Sequence, residues 1–128
     1  MAHTNEELQE MLKNKQMSSH ELETLLEARE SGDVKFTLVD IREVYEFESS
    51  SIDGTDLLIP TSVIQGHLDK FETRKEEVVI LYCRTGNRTG QVMGALERMG
   101  HEKVVHLSHG IVAYAGSTSH KVEIPNQL

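Results

Sequence analysis

Apolar residues fall along this chain in short clusters that alternate between helical and strand spacing. Leu8, Met11 and Leu12 stand at i, i+3 and i+4, which predicts a short helix over Asn5 to Gln16 with Thr4 as N-cap. A second stripe, Leu22, Leu25 and Leu26, follows the helix start at Ser18-Ser19 and should stop near Ser31-Gly32-Asp33. Phe36-Thr37-Leu38-Val39 is a short, mainly apolar stretch that predicts a strand ending in Asp40. Ile41 to Phe47 turns into a short helix, and Ser49 to Gly54 reads as a turn. Leu57 to Ile59 is the next strand, closed by Pro60, and Ile64 to Phe71 reads as helical. Val78 to Tyr82 is the strongest strand. Beyond it a polar stretch leads into a helix over Gln91 to Met99, which Gly100 closes. Val104-Val105 gives a last short strand, and His109-Gly110 opens a short helix through Tyr114. The tail from Gly116 is polar, with Val122 and Ile124 as its anchors.

Strands that alternate with helices at this spacing predict an α/β fold, with a central, mainly parallel sheet flanked by helices. Residues 1–16 form an N-terminal helical arm, and residues 17–128 the α/β domain. The arm's stripe has three fates open to it: packing on the domain, a homodimer contact, or a frayed extension. In parallel sheets ligands bind beyond the carboxyl ends of the strands. Asp40 and Cys83 both stand at such ends, on one edge of the sheet.

At 128 residues the chain suits one domain with a real core. The net charge of −8 argues against a nucleic-acid partner and requires any anion site to be made locally. No apolar run approaches the roughly 20 residues that span a bilayer, and the first residues lack an apolar signal core. No membrane partner is expected, and the cytoplasm is the default location. A single cysteine excludes an internal disulfide, makes a cysteine metal cage untenable and leaves no resolving thiol in the chain.

That cysteine ends the strongest strand. Cys83-Arg84-Thr85-Gly86-Asn87-Arg88-Thr89 places a thiol, two guanidinium groups, two hydroxyls, an amide and a glycine before a helix start. A lone cysteine after an apolar strand is commonly a small buried hydrophobe. The combination favours a reactive thiol, because loop amides, the helix dipole and arginines all stabilise an anionic sulfur. An ordinary thiol is about 3% ionised at neutral pH. A pKa of ~6.5 would make it about three-quarters ionised, for a differential of only ~2.7 kcal/mol. Gly86 lets the loop close without a Cβ clash.

The same loop resembles the C-R-x-G-x-R-S/T active-site loop of single-domain rhodaneses. Leu38-Val39-Asp40-Ile41-Arg42-Glu43 is similar to that family's L-I/V-D-V/I-R-E segment, with Glu46-Phe47 after it. Val105-x-Leu107, Gly110 and Tyr114 resemble its closing segment. The resemblance covers about Met17 to Val122. It implies a rhodanese-like domain and a sulfurtransferase that needs no cofactor. Cys83 would take sulfane sulfur from a small anionic donor, thiosulfate or a persulfide, and pass it to an acceptor thiol or cyanide. The loop from Arg84 through Thr85, Gly86, Asn87 and Arg88 to Thr89 would cradle the persulfide. Arg84 and Arg88 would bind the donor or orient the loop. Asp40 would support the loop by pairing with one of its arginines, and Arg42 would pair with Glu46 or stay solvated. Ser50-Ser51 and Thr55 stand where many relatives have Gly-His and Ala, His109 replaces a glycine, and Tyr114 a tryptophan. These departures bear on substrate and partner rather than on fold or reaction.

Two rivals come from other classes. A cysteine phosphatase needs a longer loop between cysteine and arginine than the four residues between Cys83 and Arg88. A non-catalytic binding or sulfur-sensing module would retain the fold without turnover. His101, His106 and His109 match no ordinary metal spacing, so no metal site is expected. His109 reads as a pocket wall before an acid.

Overall fold

The computed structural model describes residues 3–120. Helix α1 (Asn5–Lys13) leads to edge strand β1 (Gln16–Met17), helix α2 (Ser19–Glu30) and strand β2 (Thr37–Asp40). Helix α3 (Val44–Ser49), strands β3 (Ser51–Ile52) and β4 (Leu57–Leu58) and helix α4 (Asp69–Glu72) follow. Strand β5 (Val79–Tyr82), helix α5 (Asn87–Arg98), strand β6 (Val104–Leu107) and strand β7 (Thr118–Ser119) complete the described chain. Five strands form one sheet in the order β1-β6-β5-β2-β4, with every pairing parallel. The expected α/β architecture with a mainly parallel sheet, flanking helices and an N-terminal helix is therefore present.

β5 lies in the middle, so its side chains are covered on both faces, as a parallel sheet requires. Ile80 and Tyr82 point into one core with Leu22, Leu25, Leu38 and Leu107. Val79, Leu81 and Cys83 point into the other, with Val39, Ile41, Phe71 and Leu96. The period of two along the strand thus decides which core the cysteine joins.

The arm is not a free extension. Leu8 and Leu12 are buried in the first core beside α2. Thr4 caps α1 by accepting from the Glu7 amide at 3.1 Å while Glu7 accepts from the Thr4 amide at 2.9 Å. Ser18 and Glu21 repeat this capping box on α2. Such caps contribute about 1 kcal/mol each. Between the two helices, β1 pairs with β6, with Gln16 opposite His106.

Three two-residue strands escape the hydrophobic pattern because none of them carries an apolar run. β1 lies at the end of the predicted arm, β3 within the predicted turn, and β7, which pairs antiparallel with β3, in the polar tail. Val122 and Ile124 lie outside the described residues. The single helix expected over Ile64 to Phe71 is instead a 3-10 turn (Ile64–His67) followed by α4. The break falls at Leu68, and Phe71 is the one fully buried side chain there.

Candidate active site

β2 and β5 run side by side, with Asp40 opposite Tyr82. This brings Asp40 and Cys83 to the same edge of the sheet. Helix α5 begins at Asn87, earlier than the hydrophobic pattern indicates, so Asn87 to Gly90 form its first turn. The true loop is only Cys83 to Gly86. Gly86 is the helix N-cap at φ +102°, and a Cβ there would sit 2.1 Å from the Ser108 carbonyl oxygen. The segment leaving β6 presses from the other side. Gly110, at φ +68°, lies so close that a Cβ would come within 2.2 Å of the Arg84 oxygen. The Ile111 amide donates to the Cys83 carbonyl at 2.9 Å, and the Val112 amide to the Arg84 carbonyl at 3.2 Å. The loop is held by backbone, with glycine required where the two segments meet.

Cys83 is buried, 1% exposed. The Gly86 N–H donates to its sulfur at 3.1 Å. Burial pushes the thiol up. The amides of Thr89, Gly86 and Thr85, with the Thr89 hydroxyl, outweigh it and hold the thiol below its ordinary value. The twelve-residue α5 directs its positive end at the same atom. Thr89 Oγ1 lies 3.8 Å from the sulfur, donates to the Gly86 carbonyl at 3.0 Å and meets His106 Nδ1 at 2.8 Å.

The ion pairs differ from those expected. Asp40 pairs with no loop arginine. It accepts from Arg42 Nε at 3.0 Å and Nη2 at 2.8 Å, and from the Arg42 amide at 2.9 Å. Arg42 also donates to the Ser50 carbonyl and lies over the Tyr82 ring, 5.5 Å from its centre. Burial pushes the Asp40 carboxyl up, while the Arg42 hydrogen bonds hold it back. Glu46 consequently does not pair with Arg42. It takes both guanidinium nitrogens of Arg88, at 2.9 and 3.0 Å. Those hydrogen bonds hold the Glu46 carboxyl down at about 2. The swap follows from reach. Arg42 is two residues from Asp40 on the same turn, whereas α3 presents Glu46 to the first turn of α5.

Arg84, Thr85 and Asn87 are exposed at the rim. His109 is also exposed. Tyr114 is half-buried against the first core rather than the one holding Cys83, and burial pushes its phenol up to about 12. His106, behind Thr89, is a contact the sequence conceals, because Val-Val-His-Leu reads only as a strand with one polar interruption. Glu46 as the partner of Arg88 is concealed equally, since 42 residues separate them. Among the described residues no group of His, Cys, Asp and Glu could hold a metal ion.

The Rhodanese-like domain model matches residues 18–117. The chain is 36% identical over 81 residues to the probable adenylyltransferase/sulfurtransferase MoeZ of Mycobacterium tuberculosis, covering 63% of this chain and 20% of that one. It is 31% identical over 87 residues to a tRNA uridine(34) hydroxylase of Erwinia tasmaniensis, covering 65% of this chain and 25% of the other. The matches thus span a fifth to a quarter of these curated relatives. Among solved structures, a rhodanese-like domain protein from Staphylococcus aureus superposes with a TM-score of 0.69 at 24% identity, covering 85% of this chain and 100% of that one. Thiosulfate sulfurtransferase from Pseudomonas aeruginosa superposes with a TM-score of 0.72 at 18% identity, covering 94% and 23%. At these identities the structural likeness speaks to the fold.

Proposed function

The chain belongs to the rhodanese-like domain family, and from that premise we propose that it is a sulfurtransferase whose carrier is Cys83. The observation that carries this reading is the sulfur at the start of α5, accepting from the Gly86 amide at 3.1 Å and held below its ordinary thiol pKa. The Cys83 thiolate attacks the outer sulfur of thiosulfate or another sulfane donor. An S–S bond forms to Cys83, the donor's S–S bond breaks, and sulfite (or the donor thiolate) leaves with the electron pair. The persulfide's charged outer sulfur is then stabilised by converging loop donors. An acceptor thiolate or cyanide attacks that outer sulfur, and the Cys83 thiolate is the leaving group. With no second cysteine in the chain, the acceptor comes from outside.

The two arginines divide the work. Arg88 is committed to Glu46 and holds the first turn of α5 in place. Arg84 is exposed at the rim and binds the anionic donor. Asp40 and Arg42 support the site by fixing the end of β2.

Intact mass after incubation with thiosulfate or polysulfide tests the proposal. Wild type should gain the mass of one sulfur atom, and Cys83→Ser should gain none while keeping its fold. A wild-type protein that stays unmodified with every donor would overturn it. One observation favours a second reading. A relative named as a tRNA uridine(34) hydroxylase matches 65% of this chain with only 25% of its own length, which fits a domain that works as a module within another activity. Partner binding indifferent to Cys83→Ser, with no sulfur transfer, would select that reading.

A further inference from the structure

The geometry points to His106 as a positioning residue for the cysteine: its Nδ1–H donates to Thr89 Oγ1 and so frees the single hydroxyl proton of Thr89 for the sulfur. The inference rests on Cys83 being the reacting atom. Its ground is the count of protons around one oxygen.

Thr89 Oγ1 has three polar neighbours: the Gly86 carbonyl at 3.0 Å, His106 Nδ1 at 2.8 Å and Cys83 Sγ at 3.8 Å. A hydroxyl carries one proton and two lone pairs. The carbonyl can only accept. If Nδ1 were bare, it and the carbonyl would compete for the one hydroxyl proton, and one of the two short contacts would be acceptor against acceptor. Both contacts are hydrogen bonds together only when the imidazole donates to the hydroxyl and the hydroxyl donates onward. The neutral ring is therefore protonated on Nδ1.

The onward proton has two destinations. The Gly86 carbonyl already accepts from the Gly90 amide at 3.1 Å, in the first bond of α5, so it does not depend on Thr89. The sulfur accepts more strongly once it is charged, either as thiolate or as persulfide. The hydroxyl proton is then shared between the carbonyl and the sulfur while His106 keeps hold of the oxygen. All three side chains are buried: Thr89 at 0%, Cys83 at 1% and His106 at 8% exposure. In such surroundings a hydrogen bond to an anion counts for more than in water.

The fold places the ring for this task. His106 lies on β6 opposite Leu81 of β5, just below Cys83, and opposite Gln16 of β1 on its other side. Its backbone amide is fixed by the Lys15 carbonyl at 3.0 Å. Leu81, Gln16 and Thr89 face it from the three packed elements, and none carries a charge. Burial holds the imidazole below the ordinary histidine value, so the ring is neutral near about pH 7 and has one proton to place.

The single cysteine makes the test direct, because the far-ultraviolet absorbance of its thiolate can be titrated without a reagent reaching the buried sulfur. His106→Phe should raise the Cys83 pKa by about one unit. Thr89→Val should raise it equally, and adding His106→Phe to Thr89→Val should change nothing more. His106→Asn, whose amide can donate near the position of Nδ1, should restore most of the loss. A His106→Phe titration equal to wild type, or shifts that add in the double variant, would overturn the inference. Heteronuclear NMR of the imidazole nitrogens in the wild-type chain gives a readout independent of any variant's folding. The resonances that vanish in His106→Asn should report an Nδ1-protonated neutral ring, and an Nε2-protonated ring would sink the proposal. These readouts do not require sulfur transfer. A wild type that forms no persulfide would remove the sulfurtransferase reading and leave the His106 result to be judged on its own.

Discussion

At Gly86 two requirements coincide. The backbone is left-handed, and any Cβ would meet the Ser108 carbonyl oxygen. Gly86→Ala should therefore lower stability by about 2 kcal/mol or more, read as a shift in the urea midpoint, and displace the amide that donates to the sulfur. A variant with wild-type stability and thiol pKa would contradict this account of the loop. The arginines should separate kinetically. Arg84→Ala is expected to raise KM for thiosulfate about tenfold with little change in melting temperature, because an exposed guanidinium contributes mainly to binding. Arg88→Ala should lower the melting temperature as well, because it leaves Glu46 without its bidentate partner. Equal kinetic and thermal effects from the two variants would show that they do not have separate roles.

Among the elements, α1 tests how far the domain extends. Its stripe is consumed within the chain, with Leu8 and Leu12 both buried against α2. Leu12→Ala should cost about 2–5 kcal/mol in chemical unfolding, as for a core leucine. A cost below about 1 kcal/mol would mark the arm as peripheral. α5 has a structural and a chemical end: Leu96 anchors it to the sheet, and its first turn supplies Arg88 and Thr89 to the site. The early start of α5 matters chemically. A longer loop would leave the amides of Gly86 and Thr89 free to turn away from the sulfur, whereas a helical first turn fixes their direction.

For the molecule as a whole, pH dependence collects several of these groups. His101 and His106 are buried, and burial holds both imidazoles below the ordinary value, with Lys75 and Lys15 adding to the effect at His101. The unfolded chain then takes up protons more readily than the folded one. The stability these histidines confer is complete above about pH 6.5 and is lost as pH falls below it. Urea midpoints should therefore drop between about pH 7.5 and about pH 5.5. His101→Phe should flatten the drop in part, and an unchanged slope would exclude His101 as a source. A second loss belongs to Glu46, whose carboxyl is held at about 2 when folded. Its contribution is present above about pH 4.5 and disappears as pH falls from there towards 2. Among the described residues no helix is long and apolar enough to cross a membrane.

The sequence by itself determined the order of the main elements, the parallel α/β class, the N-cap at Thr4, the helix start at Ser18-Ser19, and the loop that carries Cys83. These are local properties, set by apolar spacing, by polar residues at helix starts and by glycine at a tight turn. Only the tertiary structure decided which charges pair. Asp40, Arg42, Glu46 and Arg88 allow more than one matching by sign, and the short reach from β2 and the facing of α3 to α5 select one. It also decided that β1, β3 and β7 exist, since two residues become a strand only when a partner edge is present. His106 reaches Thr89 for the same reason. Seventeen residues separate them, and only the packing of β6 beneath α5 brings an imidazole to the hydroxyl that faces the sulfur.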